Sequence, residues 1–84
     1  MTVHLRLFAM AREAAGRASD SFSEADTPTV GALVVAAVDR YGPGFEAVLQ
    51  TSGIWLNGEE PPEGEESHLH PGDEVAILPP VSGG

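Results

Sequence analysis

Six apolar residues recur at helical spacing in the middle of this chain: Val30, Leu33, Val34, Ala37, Val38 and Tyr41. Positions three and four apart share one face of a helix, so these residues form a single apolar stripe. Thr29 is suited to cap its start, because a threonine hydroxyl accepts from an orphan N–H of the first turn. Gly42-Pro43-Gly44 stops it. One amphipathic helix cannot bury its own stripe, and the apolar residues elsewhere follow a period of two. Val3, Leu5 and Leu7 alternate with His4, Arg6 and Phe8, which predicts a strand over Thr2 to Phe8. Ile54-Trp55-Leu56 and Glu74 to Leu78 read as two more strands, and Ser19 to Ser23 as a weaker one. Of these, 74–78 is expected to be central and buried on both faces, since its apolar run is near-continuous. The fold class implied is α+β, a sheet of four to five strands with one main helix across one face.

The chain has 84 residues, which makes it one domain with one core. The connections fit that frame. Ala9 to Ala15 are good helix formers and Gly16 can close a short helix. Strands at 2–8 and 19–23 then suit an antiparallel hairpin with that helix in its loop. Phe45 to Gln50 has room for one helical turn. Asn57-Gly58 and Pro71-Gly72-Asp73 are turns. Glu59 to Glu66, with five glutamates and two prolines, reads as a solvated loop. Parallel pairing of the first and last strands would produce a compact ubiquitin-like roll.

Composition excludes several function classes. Thirteen acidic residues against four basic ones leave a net charge of −9. Such a chain is repelled by nucleic-acid phosphates and by anionic lipid, so a basic protein surface is the expected partner. There is no cysteine, which excludes disulfides, thiolate catalysis and thiolate zinc sites. The longest apolar run, Ala32 to Val38, is too short to span a bilayer, and the N-terminus lacks a signal-peptide core. A cytoplasmic location is the expectation. All four basic residues are arginines, so the chain has no lysine and offers no side-chain amine.

Other constellations carry no chemistry. His68 and His70 share a face if extended, but a zinc site needs more ligands than these two and His4. The glutamates at 59, 60, 63, 65 and 66 do not match a calcium-loop spacing. Asp73 and Glu74 are adjacent, point to opposite faces of a strand, and cannot share one acid–base site. Trp55 reads as core or cover. Gly31, Gly42 and Gly44 do not open a helix after a strand, so they form no nucleotide fingerprint. No metal site and no bound cofactor are expected.

The C-terminus is different. The chain ends Leu78-Pro79-Pro80-Val81-Ser82-Gly83-Gly84. Two prolines cannot extend a central strand and favour a stiff, extended path. The expected division is a domain over 1–79 and an extended tail over 80–84. Gly84 leaves the terminal carboxylate without a neighbouring Cβ, and Gly83 opens backbone conformations closed to other residues. A free carboxylate on such a tail can enter a narrow channel of another protein, be adenylated there and be attacked by a nucleophile. That chemistry makes the chain a carried substrate.

Gly72 to Gly84, running Gly-Asp-Glu-Val-Ala-Ile-Leu-Pro-Pro-Val-Ser-Gly-Gly, resembles the C-terminal signature of the MoaD-like sulfur carriers, the small subunits of molybdopterin synthase. Leu5 to Gly16 is similar to that family's first strand and short helix, and Thr29 to Leu33 to its main-helix start. Asn57-Gly58 falls at its third-strand turn. The acidic segment 59–66 departs from the family by its length and charge. The resemblance implies a ubiquitin-like β-grasp fold. It implies that an activating enzyme of the E1-like (MoeB-like) kind uses ATP to adenylate Gly84, which then becomes a thiocarboxylate, with Gly83 permitting the tail to enter. It further implies a large (MoaE-like) subunit, within a heterotetrameric synthase, that uses the sulfur to build the dithiolene of molybdopterin. Phe8, Leu78, Pro79, Pro80, Val81 and Ser82 match the partner-facing surface, and the chain itself would be non-catalytic. Carriers for thiamin or cysteine biosynthesis, and ubiquitin-like protein modifiers, share the diglycine end and remain the alternatives.

Overall fold

The computed structural model describes residues 1–79. Pro80, Val81, Ser82, Gly83 and Gly84 lie outside the described residues. The elements run β1 (Thr2–Leu7), α1 (Ala9–Ala15), β2 (Ser19–Ser23), α2 (Val30–Tyr41), α3 (Pro43–Leu49), β3 (Gly53–Leu56) and β4 (Glu74–Leu78). A 3₁₀ turn spans Gly64–Glu66. The four strands form one mixed sheet in the order β2-β1-β4-β3. β1 pairs antiparallel with β2, Val3 facing Phe22, and parallel with β4, Leu5 facing Val75. β4 pairs antiparallel with β3, Trp55 facing Ala76. β4 is therefore central, and the sheet is the β-grasp arrangement expected, but β4 is buried on one face only: Val75 and Ile77 are buried while Ala76 and Leu78 are half-buried, because no helix covers their side.

The alternation seen in the sequence decides the faces. Val3, Leu5, Leu7, Phe22, Val75 and Ile77 are buried on one side, against Val30, Leu33 and Ala37 of α2 and Phe45 of α3. Ile54 and Leu56 join them from β3. The Thr29 hydroxyl accepts from the Ala32 N–H at 3.1 Å and caps α2 as expected.

Four details differ from the sequence reading. Phe8 ends β1 without belonging to it and stands at the N-cap of α1. α3 is two turns rather than one, because Pro43 starts it: its fixed φ suits the first helical position, where its missing N–H costs nothing. Gly42, with φ of 97°, both ends α2 and begins α3. The segment 59–66 keeps its glutamates exposed, yet it is not merely solvated. The Ser67 carbonyl accepts from the Val30 N–H at 3.0 Å, and the Leu69 N–H donates to the Pro28 carbonyl at 2.8 Å. Those bonds seat Leu69 in the core and lay Glu65 against Gly31 of α2, where an added Cβ would stand 3.2 Å from the Glu65 Cβ.

Candidate functional site

β4 sits between two strands and ends at Leu78, so Pro79 leaves from the middle of the sheet rather than from an edge. The residues around that point come from three strands. Register places Phe8 and Arg6 of the β1 segment, Ala76 and Leu78 of β4, and Trp55 of β3 on the face that carries no helix. Phe8 is held level with the end of β4 by its N–H, which donates to the Ile77 carbonyl at 3.2 Å. Its own carbonyl accepts from the Ala11 and Arg12 N–H groups at 3.1 and 3.3 Å and starts α1. The Arg6 guanidinium lies 5.4 Å from the Phe8 ring centroid, within cation–π range. Arg6 also approaches Glu74 at 4.0 Å, a long, exposed pair that contributes little.

Of the residues expected to face a partner, the structure thus brings Phe8, Leu78 and Pro79 together. Phe8 and Leu78 are half-buried and Pro79 is exposed. The sequence reading missed Trp55 and Ala76. Trp55 looked like core or cover, but its partners in register are Ala76 and β4, and it packs on none of the buried cluster. The available signal was the alternation itself: Ile54 and Leu56 face the core, so the residue between them faces away. Gly53 leaves room beside it, with its would-be Cβ 3.7 Å from the indole nitrogen. The face is therefore apolar at its centre, with Arg6 the one cation among its described residues.

A second apolar feature adjoins the same point. A groove of about 290 Å³ runs between α1 and α3, lined by Phe8, Met10, Ala11, Ala47, Val48 and Pro79, with Thr51 and Ser52 at its rim. Phe8 and Pro79 belong to both surfaces.

No group of three or more His, Asp or Glu side chains is placed to hold a metal ion among the described residues. His68 and His70 are exposed, and the ring of His70 approaches Asp73 at 3.6 Å. Asp73 serves structure. Burial alone would raise its pKa, but the His70 N–H and the Asn57 amide donate to it and bring it below the ordinary value. No described helix is long and apolar enough to cross a membrane.

The strongest electrostatic cluster is elsewhere, at the β2 edge. Asp20 accepts from Tyr41 Oη at 2.5 Å and from Arg40 at 2.9 Å, with Arg17 at 3.3 Å. Burial would raise its pKa, but the Tyr41, Arg40 and Ser21 donors prevail and hold it at about 2. Tyr41 is pushed upward by burial and by donating to that carboxylate. Arg40 stacks 3.9 Å over Phe22. This cluster fixes α2 to β2 and lies away from Pro79.

The model of the ThiS family matches residues 5–84. The chain belongs to the ThiS family. Another protein similar to it is the molybdopterin synthase sulfur carrier subunit of Chlamydomonas reinhardtii, 36% identical over 100% of both chains. Small archaeal modifier protein 1 of Methanosarcina acetivorans superposes with a TM-score of 0.85 and 32% identity, covering 99% of this chain and 96% of that one. A structure of the complex of subunits 1 and 2 of the molybdopterin-converting factor from Helicobacter pylori shares the fold, with a TM-score of 0.72, 23% identity and full coverage of both chains. The ThiS-family match includes the 80–84 segment as well as the sheet that leads into it.

Proposed function

We propose that this ThiS-family protein is the sulfur carrier of molybdopterin synthase, acting as a co-substrate rather than a catalyst. The observation that carries this reading is the full-length match to a sulfur carrier subunit by a chain ending in Gly83-Gly84. The sheet geometry supports it, since the central strand β4 ends at Leu78 beside an apolar face. Gly84 would be adenylated by an ATP-dependent E1-like enzyme. A sulfur nucleophile then replaces AMP and leaves a thiocarboxylate. Gly83, with no Cβ, would let the end of the chain enter a narrow site of the partner.

Phe8, Leu78 and Pro79, joined by Trp55 and Ala76, form the seat for a large subunit of the MoaE-like kind. Pro80, Val81 and Ser82 extend the contact toward Gly84. Apolar side chains at the centre of an interface contribute most of its energy, and an acidic body suits a basic partner. No cofactor is bound by this chain in this reading, and it works in the cytoplasm.

The similarity to an archaeal modifier protein supports one alternative: Gly84 joined to a lysine of another protein. Reconstitution separates the two. Incubation with activating enzyme, ATP and a sulfur donor, followed by the large subunit and the pterin precursor, is expected to yield molybdopterin. Absence of product, with Gly84 found instead as an amide on other proteins, would contradict the proposal.

A further inference from the structure

We infer that the domain is built as a donor only: the chain has no side-chain amine, and no described hydroxyl at the root of the tail is set up to capture the activated C-terminus. This rests on the carrier reading above, in which Gly84 bears a reactive acyl group. An acyl adenylate or thioester on a tail faces a hazard from its own domain. A tethered nucleophile acts at an effective concentration far above that of any free competitor. In aminolysis an amine nitrogen bonds to the Gly84 carbonyl carbon, and the bond to the leaving AMP or thiol breaks. The amine proton passes to solvent, and the carrier is spent.

Three observations remove that hazard. The chain has no lysine; its four side-chain cations are the arginines at 6, 12, 17 and 40. Guanidinium stays protonated and is not a nucleophile at neutral pH. The α-amine of Met1 lies at the wrong end of the sheet. β1 and β4 are parallel, with Leu7 level with Ile77. The run from Met1 to Phe8 at the level of Leu78 is about 23 Å at the rise of a strand. Five residues beyond Pro79 reach about 17 Å when fully extended.

The third observation concerns the groove at the root of the tail. Among the described residues, the hydroxyls lining it are those of Thr51 and Ser52. Both donate to the Val48 carbonyl, at 3.3 and 2.7 Å. Among the described residues, no acid or base lines the groove to activate them. The imidazoles are also remote from it. His4 is level with Glu74 at the start of β4, and His68 and His70 precede that strand.

The test uses the full chain prepared with a thioester at Gly84, so that it does not depend on any activating enzyme. The wild-type protein is expected to lose its thioester by hydrolysis alone. Met10 lines the groove with Pro79 and is 66% exposed, so Met10→Lys should fold and place an amine within reach. It is expected to yield a product lighter than the hydrolysed acid by one water, with the crosslink mapping to position 10. Ser23→Lys, exposed at the far end of β2, should behave as wild type. An amide or ester formed by the wild-type chain with Met1, Thr51 or Ser52 would overturn the inference. So would hydrolysis alone in Met10→Lys, because an inert surface that the tail cannot reach protects nothing. Failure of the carrier reading would appear elsewhere, as a lack of ATP-dependent activation of Gly84.

Discussion

Asp20 shows how one residue on a small domain is held by its neighbours. Its carboxylate is little exposed and satisfied by three donors, so its pKa lies at about 2 against an ordinary 3.8. A carboxylate lowered on folding contributes stability above its unfolded pKa and loses it as pH falls through the folded value. The protein should therefore lose about 1–2 kcal/mol between roughly pH 4 and pH 2 from this group. Urea unfolding at stepped pH should show that slope, and Asp20→Asn should flatten it while lowering stability at neutral pH. Trp55 makes the second argument at this scale. It is the sole tryptophan, half-buried on the helix-free face. Binding of the large subunit should shift its emission to shorter wavelength, and Trp55→Ala should weaken that binding by about 2 kcal/mol. Unfolding midpoints measured alongside should change little, since Trp55 packs on none of the core. Equal binding by Trp55→Ala would remove it from the interface.

At the scale of elements, what was legible in the sequence was whatever a periodicity expresses. The α2 stripe, its Thr29 cap and the alternation of β1 all appear where they were expected. Asn57-Gly58 forms the two-residue hairpin turn, with φ values of 51° and 84° and Leu56 bonded to Glu59 in both directions. What was not legible depends on contacts between distant segments. Leu69 has no periodic neighbours, and its burial follows from the bonds that tie 67–69 to Pro28 and Val30. Alternation with Ile54 and Leu56 turns Trp55 away from the core, but its place beside Ala76 follows only from the register of β3 on β4. The α2 start is also the place where one hydroxyl matters most. Thr29→Ala should cost about 1 kcal/mol, read from thermal or urea unfolding, whereas Thr29→Ser should cost little.

For the whole molecule, the proposed carrier role divides the labour between a folded body and a reactive end. The body supplies a central strand that ends between two neighbours, an apolar face on one side and an inert groove on the other. In the proposed reading the chemistry belongs to Gly84, outside the described residues, and the diglycine end is readable in the sequence because it is a local signature. Removing Gly83 and Gly84 should leave the unfolding midpoint unchanged and abolish sulfur transfer, since the described core is built from residues between Val3 and Ile77. The central claim is most directly tested by the mass of the C-terminal tryptic peptide, Tyr41 to Gly84, from cells with and without the activating enzyme. That peptide contains no methionine, so replacement of oxygen by sulfur cannot be mistaken for methionine oxidation. The carrier account predicts a sulfur-bearing Gly84 that depends on the enzyme. A plain carboxylate in both strains, in cells that are making molybdopterin, would contradict it.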